Sequence, residues 1–98
     1  MAYTPGPGGS RSTLNVTTTT VIKNAPGRIY KVTIITAPSA AGGIYDSATP
    51  TGLGASNLID NIGTGLANSF IFALDGWPCA NGITINPGTA GVVAVSWD

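Results

Sequence analysis

Ninety-eight residues form one domain, able to bury roughly two-thirds of its unfolded surface around a single modest core. Only 8% of residues are charged, against about 25% in ordinary soluble domains; four Lys and Arg balance four Asp, so no basic excess exists and nucleic acid is not an expected partner. The absence of His excludes imidazole metal sites and Ser-His-Asp or Cys-His catalysis, and a single cysteine excludes an intrachain disulfide.

A surface with so little self-repulsion suits a protein covered by other chains. The first segment, Met1 to Ser12, has the composition of an extended arm. Its run Pro5-Gly6-Pro7-Gly8-Gly9-Ser10 forbids a helix or a central strand. Such a segment lacks the apolar content to fold alone, so it is expected to become ordered by docking on another chain. Tyr3 would be its apolar anchor and Arg11 would supply a charge-assisted bond. The start of the chain has neither the basic residues nor the apolar run of a secretory signal. No stretch approaches the ~18 apolar residues of a membrane helix. Assembly in a cytoplasm, with no membrane partner, is the expectation, and the sequon Asn15-Val16-Thr17 is then expected to go unused.

Thr13 to Ile22 reads as the first strand, because Val16-Thr17-Thr18-Thr19-Thr20-Val21-Ile22 is β-branched throughout. After the turn Lys23 to Gly27 comes the most strand-like stretch, Gly27 to Thr36. Alternation sends Tyr30, Val32 and Ile34 to one face and Ile29, Lys31, Thr33 and Ile35 to the other. A loop of small residues leads to the short strand Gly42-Gly43-Ile44-Tyr45-Asp46. Ser56 to Ile62 alternates well enough for a strand, with a short helical turn as the alternative. Ser69 to Leu74 directs Phe70, Phe72 and Leu74 to the core. Asp75-Gly76-Trp77-Pro78 reads as a turn, and Asn81-Gly82 is a tight-turn dipeptide ahead of the strand Ile83-Thr84-Ile85. Ala90 to Trp97 closes the chain, with Val93, Val95 and Trp97 on one face.

Seven to eight short strands, with Gly or Pro in nearly every connection, predict an all-β antiparallel β-sandwich with an extended N-terminal arm. Jelly-roll and immunoglobulin-like topologies both fit the spacing; a jelly-roll-like sandwich over residues 13–98 is the expected fold. The predicted core is Tyr30, Val32, Ile34, Phe70, Phe72, Leu74, Val93, Val95 and Trp97.

Little in this pattern points to catalysis. Gly63-Thr64-Gly65-Leu66-Ala67-Asn68 has the glycines of a phosphate loop but not the strand-to-helix setting that such a loop needs, so a turn is expected. Asp46, Asp60 and Asp75 offer calcium-type oxygens without an Asp-x-Asp spacing; each borders Gly, Ser or Asn, where carboxylates satisfy turn amides. Cys79 has no nearby base or cation to form a thiolate and reads as a buried, inert thiol. Tyr3, Tyr30, Tyr45, Trp77 and Trp97 could form a sugar- or partner-binding surface. Trp97 fits the core better, whereas Trp77, in an expected turn, suits an interface.

The layout is carried by Ala25-Pro26-Gly27-Arg28-Ile29-Tyr30-Lys31-Val32-Thr33-Ile34, Ala41-Gly42-Gly43-Ile44-Tyr45-Asp46, Trp77-Pro78-Cys79-Ala80-Asn81-Gly82-Ile83 and Gly91-Val92-Val93-Ala94-Val95-Ser96-Trp97. Across residues 21–97 it resembles small virion proteins of tailed bacteriophages, by pattern more than by identity. The Gly/Pro-rich first dozen residues depart from that pattern. The resemblance implies a capsid decoration (cement) protein or a head-fibre module: a β-sandwich that oligomerises, often as a homotrimer. It also implies a structural role in the virion, with the major capsid protein as partner and no enzymatic activity or cofactor. The alternative it implies is a receptor- or glycan-binding module of a head fibre or tail tip. Tyr3, Arg11 and Trp77 are the candidate partner-binding residues, and no catalytic or metal-binding residues are expected.

Overall fold

The computed structural model describes residues 11–98. Tyr3 and the rest of residues 1–10 lie outside the described residues, while Arg11 and Ser12 open the first strand. Eight strands follow: β1 (Arg11–Val16), β2 (Thr20–Lys23), β3 (Gly27–Thr36), β4 (Gly42–Tyr45), β5 (Leu58–Ile62), β6 (Ile71–Cys79), β7 (Ile83–Asn86) and β8 (Val92–Trp97). All pairings are antiparallel. The strands form two four-stranded sheets, ordered β1-β8-β3-β6 and β2-β7-β4-β5. Every connection except β4 to β5 passes from one sheet to the other. This is jelly-roll order, and it differs from the immunoglobulin arrangement, whose first two strands share a sheet.

The tract expected as one strand is therefore two strands in opposite sheets. The chain crosses over at Thr17–Thr19, where all three residues are exposed and the Thr20 hydroxyl donates to the Thr18 carbonyl at 2.8 Å. An unbroken β-branched run has no composition signal for such a crossing. Only backbone geometry marks it: Asn15 takes a left-handed φ of 56°, beside a register shift between Thr13 and Val16.

β3 organises the first sheet, pairing with β8 on one side and β6 on the other. Val32 and Ile34 are fully buried, as their alternation predicts, but Ile29 is fully buried too and Tyr30 only half so. A bulge explains the reversal. β3 advances two residues, from Lys31 to Ile29, where β8 advances one, from Ser96 to Trp97, and the extra β3 residue resets the inward phase; opposite the same run β6 spends Ala73 to Trp77. Within this bulge Asp75 and Gly76 both adopt left-handed backbone, at φ 53° and 84°. Gly76 also admits the Tyr30 ring, since a Cβ there would lie 3.3 Å from Tyr30 Cε1. The segment expected as a turn is thus a kink inside a continuous strand.

The core lies between the sheets. Ile29, Val32, Ile34, Val93 and Val95 face Ile44, Ile62, Ile83 and Ile85, each contributing roughly 1.5–3 kcal/mol by burial. Phe72, Leu74 and Trp97 pack against this cluster while remaining half-buried. Phe70 departs further from expectation and is 42% exposed. It lies just before β6, at the rim, where its ring meets Phe72 edge-on at 5.0 Å and the other side faces solvent. Its alternation is correct, but the sandwich ends before it can cover the ring.

Candidate functional site

A jelly roll leaves its sandwich open along two rims, and each rim of this one carries a tryptophan. At the β1/β2 rim, Trp97 donates its indole Nε1–H to Thr13 Oγ1 at 2.9 Å. The Arg11 guanidinium lies 5.7 Å and the Lys23 ammonium 5.9 Å from the ring centroid. Such cation–π contacts contribute about 0.5–1 kcal/mol each at exposed sites. Arg11, opposite Trp97 in the ladder, is exposed at the mouth of an open cleft of about 580 Å³ shared with Lys23 and Asn24. The contact between Lys23 and Trp97 has no signature in the sequence, because the two residues belong to different sheets and meet only across the open rim.

The second rim lies between β5 and β6 and is built around Asp46. This residue follows β4, and its carboxylate accepts three backbone N–H groups of the turn between β6 and β7. Asn81 N and Gly82 N reach Oδ1 at 2.9 and 3.3 Å, and Ala80 N reaches Oδ2 at 3.1 Å. Backbone amides that strand pairing leaves free are thereby satisfied by a charge-assisted acceptor. The neighbouring loop is anchored in a similar way. Asp46 N donates to the Asn57 carbonyl at 2.8 Å, and the Asn57 side chain accepts from Gly54 N at 2.9 Å and donates to the Gly52 carbonyl at 3.2 Å. Thr84, fully buried, donates its hydroxyl to the Ser47 carbonyl at 2.8 Å and so holds the chain beyond Asp46. Turn chemistry was legible for Asp46 in the sequence, but its partner lies more than thirty residues away, and no local pattern names it.

Trp77 stands beside this anchored turn. Its ladder partner Ile29 faces inward, so Trp77 projects from the inward side of β6. Because β6 is an edge strand, the indole overhangs the gap towards Leu58 and Ile59 of β5 instead of entering the core. It is 47% exposed. Trp77 and Arg11 therefore occupy opposite rims and do not form one surface.

No family model matches this chain. Nor does any characterised protein or solved structure show significant similarity to it.

Cys79 is buried, and burial, with the Asp46 carboxylate adding to it, pushes its thiol up to about 12. The thiol is protonated at neutral pH and unreactive. Asp60 accepts from its neighbour Asn61 N at 2.8 Å, a local turn contact. Among the described residues no cluster of three metal-ligating side chains occurs. Gly63 to Asn68 forms a surface loop that the Asn68 side chain ties down by accepting the Ala37 N–H at 3.2 Å.

Proposed function

We propose that this chain is a structural virion protein of a tailed phage, which binds the capsid as a decoration (cement) protein and acts as a homo-oligomer. The observation that carries this reading is the outer face of the β1-β8-β3-β6 sheet. Ladder pairing aligns Ala94, Thr33 and Ile71 across β8, β3 and β6, with Leu14 of β1 beside Ala94. A second row aligns Ser12, Ser96, Lys31 and Ala73 across all four strands. Lys31 is the only charge in these rows. Leu14, Ile71 and the neighbouring Ile35 are 70%, 50% and 49% exposed. Exposed β-branched and aliphatic side chains with almost no charge suit a face that other subunits cover.

The motif resemblance supplies the partner, the major capsid protein, and the trimeric state. The experiment is electron microscopy of particles assembled with and without the protein, alongside the variants Ile35→Lys and Ile71→Lys. The reading expects added density at symmetry-related capsid positions, lost with either variant. Identical particles with and without the protein would refute it. The residues 1–10, with Tyr3, enter as the expected attachment arm on composition alone.

A further inference from the structure

The cleft at the β5/β6 rim has features that capsid attachment does not use. It measures about 200 Å³, below the ~300–1,000 Å³ of sites for drug-sized ligands and suited to a single ring. One side is the exposed indole of Trp77, and Leu58 and Ile59 add apolar lining. The polar groups on the rim fall into two sets. The first set is fully engaged in holding the walls: the Asp46 carboxylate on the Ala80–Gly82 amides, and the Asn57 side chain on Gly52 and Gly54. The second set consists of the Ser56 hydroxyl and the Asn81 side-chain amide, both exposed and neither hydrogen-bonded among the described residues. The walls are therefore fixed before any ligand arrives, while a donor–acceptor pair and a flat aromatic face remain available.

We propose that this cleft binds one neutral sugar ring of a glycan, with the apolar face of the ring stacked on Trp77 and its hydroxyls bonded to Asn81 and Ser56. The chemistry selects this class over others. An indole accepts the C–H face of a pyranose, and an amide and a hydroxyl can each donate to and accept from vicinal hydroxyls. The charge selects neutral over acidic sugars. Among the described residues, Asp46 is the only ionisable group lining the cleft, and no Lys or Arg is there to pair with a uronate or sialate carboxylate. An apolar peptide anchor would leave Asn81 and Ser56 facing it unpaired, at the cost of their hydration. This site is separate from the outer sheet face, since Trp77 and Ile71 project from opposite sides of β6. It therefore does not depend on the capsid-binding proposal.

The test uses the full, ¹⁵N-labelled chain. The two tryptophan indole N–H resonances are followed during titration with methyl glycosides of glucose, galactose, mannose and N-acetylglucosamine, and with glucuronate. At least one neutral glycoside should shift the Trp77 indole saturably, with Kd on the order of 1 mM, while the Trp97 indole stays in place. Trp77→Ala should abolish the shift of the cleft amides, and Asn81→Ala should weaken binding about 3- to 10-fold. If Trp77→Ala misfolds, Asn81→Ala and Ser56→Ala carry the test alone. No shift with any neutral glycoside overturns the proposal, as does equal binding of glucuronate or undiminished binding by Asn81→Ala and Ser56→Ala. A Trp77 indole moved only by capsid protein would make this rim a protein contact and would likewise overturn it.

Discussion

Removing the Asp46 carboxylate tests how this sandwich closes. The Asp46→Ala variant strips one acceptor from each of three backbone amides. Ala80 and Asn81 are exposed, so water replaces the carboxylate there and each loss is about 0.5–1 kcal/mol. Gly82 is buried, and a Cβ on it would lie 2.6 Å from the Lys23 carbonyl oxygen, so this amide has little access to solvent. Its charge-assisted bond is worth about 1.5–3 kcal/mol. Allowing for relaxation of the turn, the expected loss is about 2–4 kcal/mol, or roughly 10–25 °C in Tm for a domain of this size. Asp46→Asn keeps one acceptor oxygen and should lose about 1–2 kcal/mol. Asp60→Ala is the control, because Asp60 is exposed and accepts only from its own neighbour; its loss should stay within about 0.5 kcal/mol. Equilibrium urea unfolding measures all three. A loss below about 1 kcal/mol for Asp46→Ala, or one equal to that of Asp60→Ala, would show that solvent serves the turn as well as the carboxylate does.

Gly42→Ala should prevent folding or cost more than about 3 kcal/mol, because its Cβ would overlap the Asn86 carbonyl oxygen of β7; Gly54→Ala, with open space around it, should stay within about 1 kcal/mol, both read by thermal melts. The Cys79 thiol has a folded pKa above its unfolded value of about 8.5. Its contribution to stability is therefore complete below about pH 8.5 and is lost as pH rises towards 12, with a slope of up to about 1.4 kcal/mol per pH unit; Cys79→Ala should flatten that alkaline limb in denaturation curves. Phe72→Ala should cost about 2–3 kcal/mol, below the ~3–5 of a fully buried Phe, and Phe70→Ala less than about 1.5, in the same unfolding assay. Deleting residues 1–10 should leave the melt of the domain within about 2 °C while weakening incorporation into particles.

The residues that show the fold class most clearly are those of β3 and β8, where Val32, Ile34, Val93 and Val95 alternate without interruption and are buried as their spacing predicts. The sequence becomes misleading wherever the backbone leaves regular pairing. The Asp75–Gly76 bulge looks like a turn because the residues that permit left-handed backbone are the same in both settings. Beside that kink, the extra β3 residue opposite β8 moves Ile29 inward and Tyr30 partly out. The switch of sheets at Thr17–Thr19 leaves no mark, since a β-branched residue suits either sheet. At the rims the sequence shows which aromatics are available but not their surroundings. Trp77 reads correctly as a candidate contact residue, whereas the anchored walls beside it depend on Asp46 meeting a turn that sequence distance conceals.

Strand order places the two proposed surfaces so that they do not compete. β6 contributes to both, and regular alternation would put Ile71 and Trp77, six residues apart, on the same side; the bulge between Ala73 and Trp77 resets the phase and sends them to opposite sides. Ile71 pairs with outward Thr33, and Trp77 pairs with inward Ile29. A subunit resting on Ile71 and Ile35 would leave the Trp77 rim facing sideways and open to solvent. Capsid attachment and sugar binding are then separable by mutation. Ile71→Lys should abolish decoration and leave the Trp77 indole titration unchanged, whereas Asn81→Ala should weaken that titration about 3- to 10-fold and leave decoration intact. A variant at either surface that impaired both activities while keeping its melting temperature would show that the two surfaces act as one.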